Sequence, residues 1–304
     1  MYTRPRVNIT QKSLLQFLIF FLLVSISKSH SFTTFKSEDK IMDIPIYIVD
    51  AFTEKRFSGN PAAVCPLLEW LDDDLLQSIA SENNLSETAF FVKRGDTFEL
   101  RWFTPKVEVD LCGHATLASA HVLFEHLNYK KPQIVFETKS GRLVVKRNKE
   151  LYIMDFPAIN TTSVKSPKIL EQCLEAKPTE VEKGSWFYLA IFEHEDDIKR
   201  LDPDFNLMKK MEKAVIVTSK GHDSIDFVSR CFAPNEGIPE DPVTGSAHCA
   251  LVPFWSNRLS KTTFYAKQVS KRGGELYCEY IGDRVIIGGK AVTFSIGRIK
   301  LEKD

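Results

Sequence analysis

An internal repeat constrains the fold of this chain more than any other feature of its sequence. In FELRWFTP (98–105) and SIDFVSRCFAP (224–234), an arginine, a phenylalanine and a proline follow one another at the same spacing. A short loop follows each segment, and then a helix that opens with a glycine, in GHAT at 113–116 and in GSAH at 245–248. An internal repeat of this length predicts two structurally similar domains.

Both repeats are predicted to combine short strands with a few helices. Strands are expected at 44–52, 88–93, 98–104, 133–137, 142–146, 151–156, 224–234, 261–268, 275–280, 284–288 and 291–298. Helices are expected at 72–83, 113–127 and 245–259. These elements place the first domain at 43–157 and the second, with a linker at its start, at 158–304.

The two helices that open with glycine lack a polar face. Small and apolar side chains cover most of the first one, and a helix of this kind is buried on all sides. Surrounded by short strands, each would be the central helix of a barrel-like sheet in an α+β fold. The alternative is an ordinary α+β domain with helices on one face of a sheet. Pro253 interrupts the second helix and is expected to kink it.

The charge balance and the cysteines exclude several classes of protein. The chain carries 40 basic and 40 acidic residues, so it has no surplus of positive charge. A nucleic-acid partner is therefore not predicted. Its six cysteines form no C-x-x-C pair. Their scatter predicts buried thiols and neither a disulfide framework nor a metal centre.

Residues 1–42 are interpreted as an extension outside the fold. Basic residues precede the apolar run LLQFLIFFLLVSIS (14–27) and small residues follow it, which is the pattern of a secretion signal. The run is shorter than the ~20 residues that a membrane span needs. Residues 31–41 are interpreted as a polar linker.

Five motif strings resemble a known family. They are IPIYIVDAFTEKRFSGNPAAVC, NLSETAFF, RWFTPKVEVDLCGHATLASA, EDPVTGSAH and RGGEL. In this order, over nearly the whole chain beyond residue 42, they resemble the phenazine-biosynthesis isomerase family. The animal branch, the phenazine-biosynthesis-like domain proteins, is expected to be most similar because its members keep nearly these strings.

The resemblance implies the diaminopimelate-epimerase-like fold. In that fold two pseudo-symmetric domains each wrap a barrel-like sheet around a central helix, with the active site between them. The resemblance also implies an isomerase that uses no cofactor or metal and forms a homodimer.

The location of the protein is open between two compartments. The resemblance implies the cytosol, whereas the signal-like extension fits a secreted protein, with membrane contact only if the extension is retained. Asn84 and Asn160 open glycosylation sequons. A glycan on Asn84 would stand three residues before Glu87, at the site proposed below, so the cytosol is favoured.

Glu87 matches the catalytic acid/base of the family. The residues add a reason of their own, since in NNLSETAFF (83–91) the carboxylate directly precedes an apolar strand. Desolvation there would raise its pKa and let it both take and return a proton. Ser86 and Thr88 are expected to hold the carboxylate by hydrogen bonds. The alternative is an exposed glutamate at the end of a strand.

Three further residues match site positions of the family. His114 would donate to a substrate oxygen or relay a proton, and its alternative is a helix cap. Asp241 in EDPVTGSAH is assigned to substrate orientation or to a hydrogen bond with His114, against an ordinary Asp-Pro turn. Asn60 in SGNPAAV is placed near the site as a substrate-binding residue, against a turn residue before proline.

The starts of the two central helices are predicted to bind the substrate. Free N–H groups and the positive end of the helix dipole attract anions. Gly113, Gly245 and Ser246, together with Ser86, are therefore assigned to a substrate carboxylate. The alternative is that the glycines only permit tight turns.

Cys112 precedes the first of these glycines, and Thr244 stands at the matching place in the second repeat. In epimerase relatives two cysteines at these places act as base and acid. A threonine hydroxyl is too weak an acid to replace a thiolate. A two-thiol racemase is therefore not expected, and Cys112 is predicted to be a buried neighbour of the site.

These observations predict a cofactor-independent isomerase that shifts a proton within a small cyclic or amino-acid-like carboxylate, with Glu87 acting on one face. One alternative is an amino-acid epimerase, which would need a second base on the opposite face. The other is a protein-binding module that keeps the fold without catalysis.

Overall fold

Strands outnumber helices in the computed structural model, which describes residues 41–302. Residues Asp43–Lys300 group into one unit. Its helices are α1 (Asp73–Asn83), α2 (Gly113–Glu125), α3 (Lys168–Leu174), α4 (Glu195–Arg200), α5 (Phe205–Met208) and α6 (Gly245–Leu259). The strands are β1 (Ile41–Ala51), β2 (Asn60–Leu67), β3 (Glu87–Arg94), β4 (Thr97–Phe103), β5 (Glu108–Val109), β6 (Gln133–Thr138), β7 (Gly141–Asn148), β8 (Leu151–Pro157), β9 (Thr162–Ser163), β10 (Glu180–Lys183), β11 (Phe187–Ile191), β12 (Ala214–Lys220), β13 (Phe227–Ala233), β14 (Ile238–Asp241), β15 (Thr263–Gln268), β16 (Gly274–Ile281), β17 (Arg284–Gly289) and β18 (Ala291–Glu302).

The first half of the fold surrounds α2. Strands β1 and β2 are antiparallel, β2 and β3 parallel, and β3 and β4 antiparallel. Strand β4 pairs antiparallel with β5 and parallel with β6, and β6, β7 and β8 follow as antiparallel neighbours. Every residue of α2 from His114 to Phe124 is buried, so this helix fills the core of its half.

The second half repeats this order of pairing around α6. Strands β10 and β11 are antiparallel, β11 and β12 parallel, and β12 and β13 antiparallel. Strand β13 pairs antiparallel with β14 and parallel with β15, and β15, β16 and β17 are antiparallel neighbours. The predicted fold class is therefore confirmed: α+β, diaminopimelate-epimerase-like, with two pseudo-symmetric barrel-like sheets around central helices.

Two arginine–glutamate pairs explain why the repeat is visible in the sequence. Arg101 donates from Nε and Nη2 to the two carboxylate oxygens of Glu108 at 2.8 and 2.9 Å, which links β4 to β5. Arg230 makes the same pair of bonds to Glu240 at 2.7 and 3.0 Å, which links β13 to β14. Each guanidinium also lies over the phenylalanine ring two residues further on, at 5.1 and 4.9 Å. The repeated motif thus braces matching pairs of strands.

The two halves also share a strand boundary. Strand β8 of the first half pairs antiparallel with β17 of the second. At this boundary Arg284 Nε donates to Asp155 Oδ1 over 2.9 Å. Backbone hydrogen bonds as well as side chains therefore join the halves.

The sequence pattern misses β2, which opens with Asn60. This strand holds Pro61 and Pro66 among small side chains, a composition that argues against a strand paired on both edges. It nevertheless lies between β1 and β3, with most of its residues buried. Burial between two partners outweighs weak local propensity here.

The sequence pattern also misses the short strands β5, β9 and β14 and the strands β10, β11 and β12 of the second half. Strand β1 begins at Ile41, before the predicted start at residue 44, whereas α6 ends at Leu259 as predicted. Helices α3, α4 and α5 are missed as well, and they enclose a second apolar cluster. The signal-like segment at 1–40 lies outside the described residues. Within 41–302 no helix is long and apolar enough to cross a membrane.

The central position of α2 generates a prediction about stability. Leu117 is fully buried, so Leu117→Ala is expected to lower the free energy of unfolding by ~2–5 kcal/mol through lost contacts and a cavity. Leu68, which is 94% exposed, is the control. Leu68→Ala should change the free energy of unfolding by less than ~0.5 kcal/mol. Urea denaturation measures both. Equal effects of the two substitutions would place α2 outside the core.

Candidate active site

Glu87 and His114 form a buried pair in the first half. Glu87 is the first residue of β3 and His114 the second residue of α2, and their exposed fractions are 9% and 6%. Glu87 Oε2 lies 3.1 Å from His114 Nε2. At this distance the two side chains form an ion pair when His114 is protonated, and no other group among the described residues hydrogen-bonds to either atom. The fold therefore brings two titratable groups together in one buried place.

Asn60 connects this pair to the second half. The side chain is fully buried, and its Nδ2 donates to Asp241 Oδ1 at 2.8 Å and to the carbonyl oxygen of Val243 at 2.9 Å. Because both partners are acceptors, the orientation of the amide is fixed. The same Nδ2 lies 3.2 Å from His114 Nδ1. The hydrogen bond expected between Asp241 and His114 is therefore replaced by a chain that runs through Asn60.

Asp241 is held at both carboxylate oxygens. Besides the bond from Asn60, its Oδ2 accepts a hydrogen bond from Thr244 Oγ1 at 2.5 Å. Burial raises the pKa of Asp241 to about 6, although the charge of His114 and the bonds from Thr244 and Asn60 oppose the rise. Asp241 is thus a fixed carboxylate that titrates close to neutral pH.

Gln268 supports Asp241 and is a residue that the sequence did not reveal. Its Nε2 donates to the carbonyl oxygen of Asp241 at 2.7 Å, and its Oε1 accepts from the N–H of Thr244 at 2.8 Å. Gln268 ends β15 and is 1% exposed. Nothing in the alternation of this strand marks one buried glutamine as part of a site.

The starts of α2 and α6 lie against each other. A Cβ atom built on Gly113 would lie 3.9 Å from the Cα of Gly245. Cys112 and Thr244 occupy the capping positions, and neither side chain caps its helix. Two helix starts with free first-turn N–H groups therefore lie next to each other, and helix starts of this kind can bind anions.

The two predicted serines stand at the rim of this cluster. Ser86 directly precedes Glu87 and is half-buried, while Ser246 is the exposed second residue of α6. The expectation that Thr88 would hold Glu87 is wrong, because adjacent residues of a strand point to opposite faces. Thr88 instead accepts a hydrogen bond from Asn83 at 3.1 Å.

Protonation of His114 depends on its neighbours. Burial lowers the pKa of His114, but charge at Cys112 and Glu87 raises it, and the result lies well above the ordinary value. Burial and the charge of Glu87 in turn raise the pKa of the Cys112 thiol to about 11. Cys112 is therefore a neutral thiol at neutral pH, and the charge that favours protonated His114 there is that of Glu87.

All six cysteines are buried and free, as the sequence predicted. Cys112 Sγ lies 3.4 Å from His114 Nδ1. Glu87, Cys112 and His114 offer ligand atoms within 4.8 Å of one another, and these residue types suit a zinc-like ion. They are the side chains of this cluster that could hold a metal.

A cavity of about 590 Å³ opens beside the cluster. Gln268 and Arg272 line it, but Glu87, His114 and Asp241 do not. Several of its cations are already paired with carboxylates, such as Lys267 with Glu275. The candidate active site is therefore assigned to the buried titratable cluster and not to this cavity.

The second half lacks a counterpart of Glu87. Glu87 opens β3 and pairs with Ala62 of the parallel strand β2. Ala214 opens β12 and pairs with Phe187 of the parallel strand β11. Since these strands are equivalent in the repeat, alanine occupies the position of the acid/base candidate.

The helix starts show the same asymmetry. Gly113 and Gly245 are equivalent, so His114 corresponds to Ser246 and Cys112 to Thr244. The titratable groups of the first half are thus matched by hydroxyl groups in the second. The site therefore contains the Glu87–His114 pair once, and the second half contributes Asp241 to it.

The fold is that of the epimerase-like class of proteins. A hydroxyproline epimerase from Agrobacterium vitis shares this fold, with a TM-score of 0.54, 11% identity, and coverage of 86% of this chain and 93% of that one. The crystal structure of a PhzF-family phenazine biosynthesis protein from Enterococcus faecalis has a TM-score of 0.83 and 48% identity. It covers 86% of this chain and 100% of that one.

Sequence comparison identifies the family. The family model described as phenazine biosynthesis-like protein matches residues 49–297, and the chain belongs to this family. An uncharacterized isomerase of Pseudomonas aeruginosa is 49% identical over 261 residues, which cover 86% of this chain and 100% of that protein. The human phenazine biosynthesis-like domain-containing protein is 39% identical over 285 residues, covering 83% of this chain and 98% of that protein. The predicted family is confirmed, but the expectation that the animal branch would be most similar is wrong, because the bacterial isomerase is 49% identical and the human protein 39%.

The Glu87–His114 pair generates a prediction about protonation. Glu87→Gln keeps the shape of the side chain but removes the charge that opposes desolvation, so the pKa of His114 is expected to fall. An NMR titration of the histidine rings measures this, with His114→Gln to assign the resonance. Glu69→Gln, a change at a side chain that is 78% exposed, serves as the control. An unchanged pKa of His114 in Glu87→Gln would contradict the coupling.

Proposed function

We propose that the protein is an isomerase that shifts a proton between two carbons on one face of a small carboxylate-bearing substrate. Glu87 takes the proton next to an activating group and returns it at the second carbon. The observation that carries this proposal is the buried Glu87–His114 pair, with Ala214 and Ser246 at the matching positions of the other half. A single acid/base set suits a transfer that starts and ends on the same face.

The substrate carboxylate is proposed to lie at the paired helix starts. The first-turn N–H groups of α2 and α6 have no side-chain caps, and they add positive potential where Gly113 and Gly245 meet. His114 would then face a substrate oxygen while Glu87 faces the carbon that loses its proton. Ser86 and Ser246 are proposed to contact the rest of the ligand.

An epimerase needs a second base on the opposite face, and Asp241 is the candidate for that role because its pKa is about 6. Both of its oxygens are engaged, however, by Asn60 and Thr244. A carboxylate held in this way is suited to orienting its neighbours, whereas Glu87 Oε2 has no hydrogen-bond partner among the described residues. These contacts favour the same-face isomerase.

The side chains of the protein are proposed to carry out the proton transfers without a cofactor. By resemblance to the family, the protein is proposed to act as a homodimer in the cytosol. Size-exclusion chromatography with light scattering and localisation of the full chain test these two points.

Substrate class and catalysis are tested in sequence. Isothermal titration with a panel of cyclic and amino-acid carboxylates identifies ligands, and turnover is then followed by NMR. Glu87→Gln is expected to lower turnover by ~10²-fold or more while binding is retained, because a positioned base contributes that much. Glu54→Gln, a change at an exposed carboxylate, is the control. Turnover by Glu87→Gln at the native rate would show that Glu87 is not the base.

Isotope transfer separates the two kinds of reaction. With substrate deuterated at the reacting carbon, one shielded base is expected to return part of the deuterium to the product within a single turnover. A two-base epimerase would deliver a solvent proton from the opposite face instead. Product without any retained deuterium, formed with inversion at one carbon, would favour the epimerase.

The paired helix starts generate a further prediction. A Cβ atom on Gly245 would lie 3.8 Å from the Cζ of Phe52, an ordinary contact, so Gly245→Ala is expected to fold normally. Gly245→Leu should block the approach of a ligand to the backbone and weaken benzoate binding by about tenfold or more, equivalent to losing one hydrogen bond to a charged group. Calorimetry on both variants measures the effect. Native affinity in Gly245→Leu would remove the carboxylate from this place.

A further inference from the structure

One loop breaks the symmetry between the halves without taking part in the acid/base pair. In the first half, β6 and β7 are joined by the two residues 139–140, since Thr138 pairs with Gly141. In the second half, Gln268 pairs with Gly274, so the five residues 269–273 join the equivalent strands. The longer loop carries Arg272.

Arg272 reaches across to the first half and makes three hydrogen bonds there. Its Nε donates to the carbonyl oxygen of Gly59 at 2.8 Å, and its Nη2 donates to Ser58 O at 3.0 Å and to Asp50 Oδ1 at 2.7 Å. Next to it, the N–H of Gly59 donates to the carbonyl oxygen of Gly273 at 2.7 Å. The loop is thus hydrogen-bonded to Ser58 and Gly59, which directly precede Asn60.

The segment that ends in these residues, 52–59, has an unusual backbone. Phe52, Phe57 and Gly59 have φ angles of 61, 70 and 68°. At Gly59 a side chain is excluded, because a Cβ atom would lie 2.2 Å from the carbonyl oxygen of Ala51. Left-handed backbone of this kind persists only where surrounding contacts determine it.

Asp50, in the first half, bonds both to Arg272 and to segment 52–59. Its carboxylate is 2% exposed, with Oδ1 facing Arg272 and Oδ2 accepting from the N–H of Phe57 at 3.0 Å. The buried carboxylate therefore joins the arginine to a left-handed residue of the segment. Losing the arginine would leave the charge of Asp50 buried without its cation, which is unfavourable.

We propose that Arg272 is a positioning residue for the candidate active site. By fixing segment 52–59 it places the amide of Asn60 between Asp241 and His114, and through this amide it keeps the two halves aligned at the acid/base pair. None of its hydrogen bonds reaches Glu87. Its catalytic meaning rests on the proposed function, but its effect on His114 does not.

The test compares two arginines that both bridge the halves. Arg272→Gln removes the hydrogen bonds that the guanidinium makes to the first half. Arg284→Gln removes the Arg284–Asp155 bridge at the β8–β17 boundary. The ¹⁵N resonances of the His114 ring, assigned with His114→Gln, report whether Asn60 still faces Nδ1. Arg272→Gln is expected to shift them and Arg284→Gln to leave them in place. Turnover of a ligand identified in the carboxylate panel should fall ~10–10²-fold in kcat, the scale of a misplaced catalytic group.

Arg272→Lys is the second variant. A lysine can replace one of the three hydrogen bonds but not the forked geometry, so an intermediate shift of the His114 resonances is expected. If Arg272→Gln does not fold, Arg272→Lys is judged by the same criterion against Arg284→Gln. His114 resonances identical to the native ones, or shifted equally by Arg284→Gln, would show that Arg272 only braces the fold. Because this readout needs no substrate, it stands even if Glu87 proves not to be the base.

Discussion

The geometry of the site depends on one buried amide. Asn60 opens β2 in the first half, yet its two strongest hydrogen bonds go to Asp241 and Val243 of the second. The same nitrogen faces His114. Because Asp241 would lose one of its two side-chain hydrogen bonds without this amide, Asn60 aligns the halves as well as the imidazole. The contact between the halves and the arrangement of the site therefore depend on the same side chain.

The pseudo-symmetry separates residues that build the fold from residues of the candidate site. What repeats is structural: the braces made by Arg101 and Arg230, and the two central helices that start with glycine. What does not repeat surrounds the site. Glu87 is matched by Ala214, and the short turn of the first half is matched by the loop that carries Arg272. A duplicated fold thus supplies two adjacent helix starts, to which the first half adds Glu87 and His114 and the second half adds Asp241.

Sequence patterns predicted the central helices and the cluster around Glu87, because a helix without a polar face must be buried and the motifs mark its start. They could not place Asn60 between Asp241 and His114, since the partners lie 181 and 54 residues away along the chain. Gln268 was missed for the same reason. Local periodicity carries no information about which distant carbonyl or carboxylate a buried amide meets.

The unpaired atoms of the site give the last link between stability and function. Glu87 Oε2, His114 Nε2 and Asn60 Oδ1 are buried in one place and have no hydrogen-bond partner among residues 41–302. Burying polar groups with few protein hydrogen bonds costs free energy, which the close contact between Glu87 and His114 offsets in part. A ligand that supplies a donor to Glu87 and an acceptor to His114 would stabilise the folded protein in proportion to its affinity. The Arg–Glu braces and the apolar bodies of the two central helices stabilise the fold independently of this contact. Stability from these parts of the fold therefore allows the polar groups to stay buried at the helix starts.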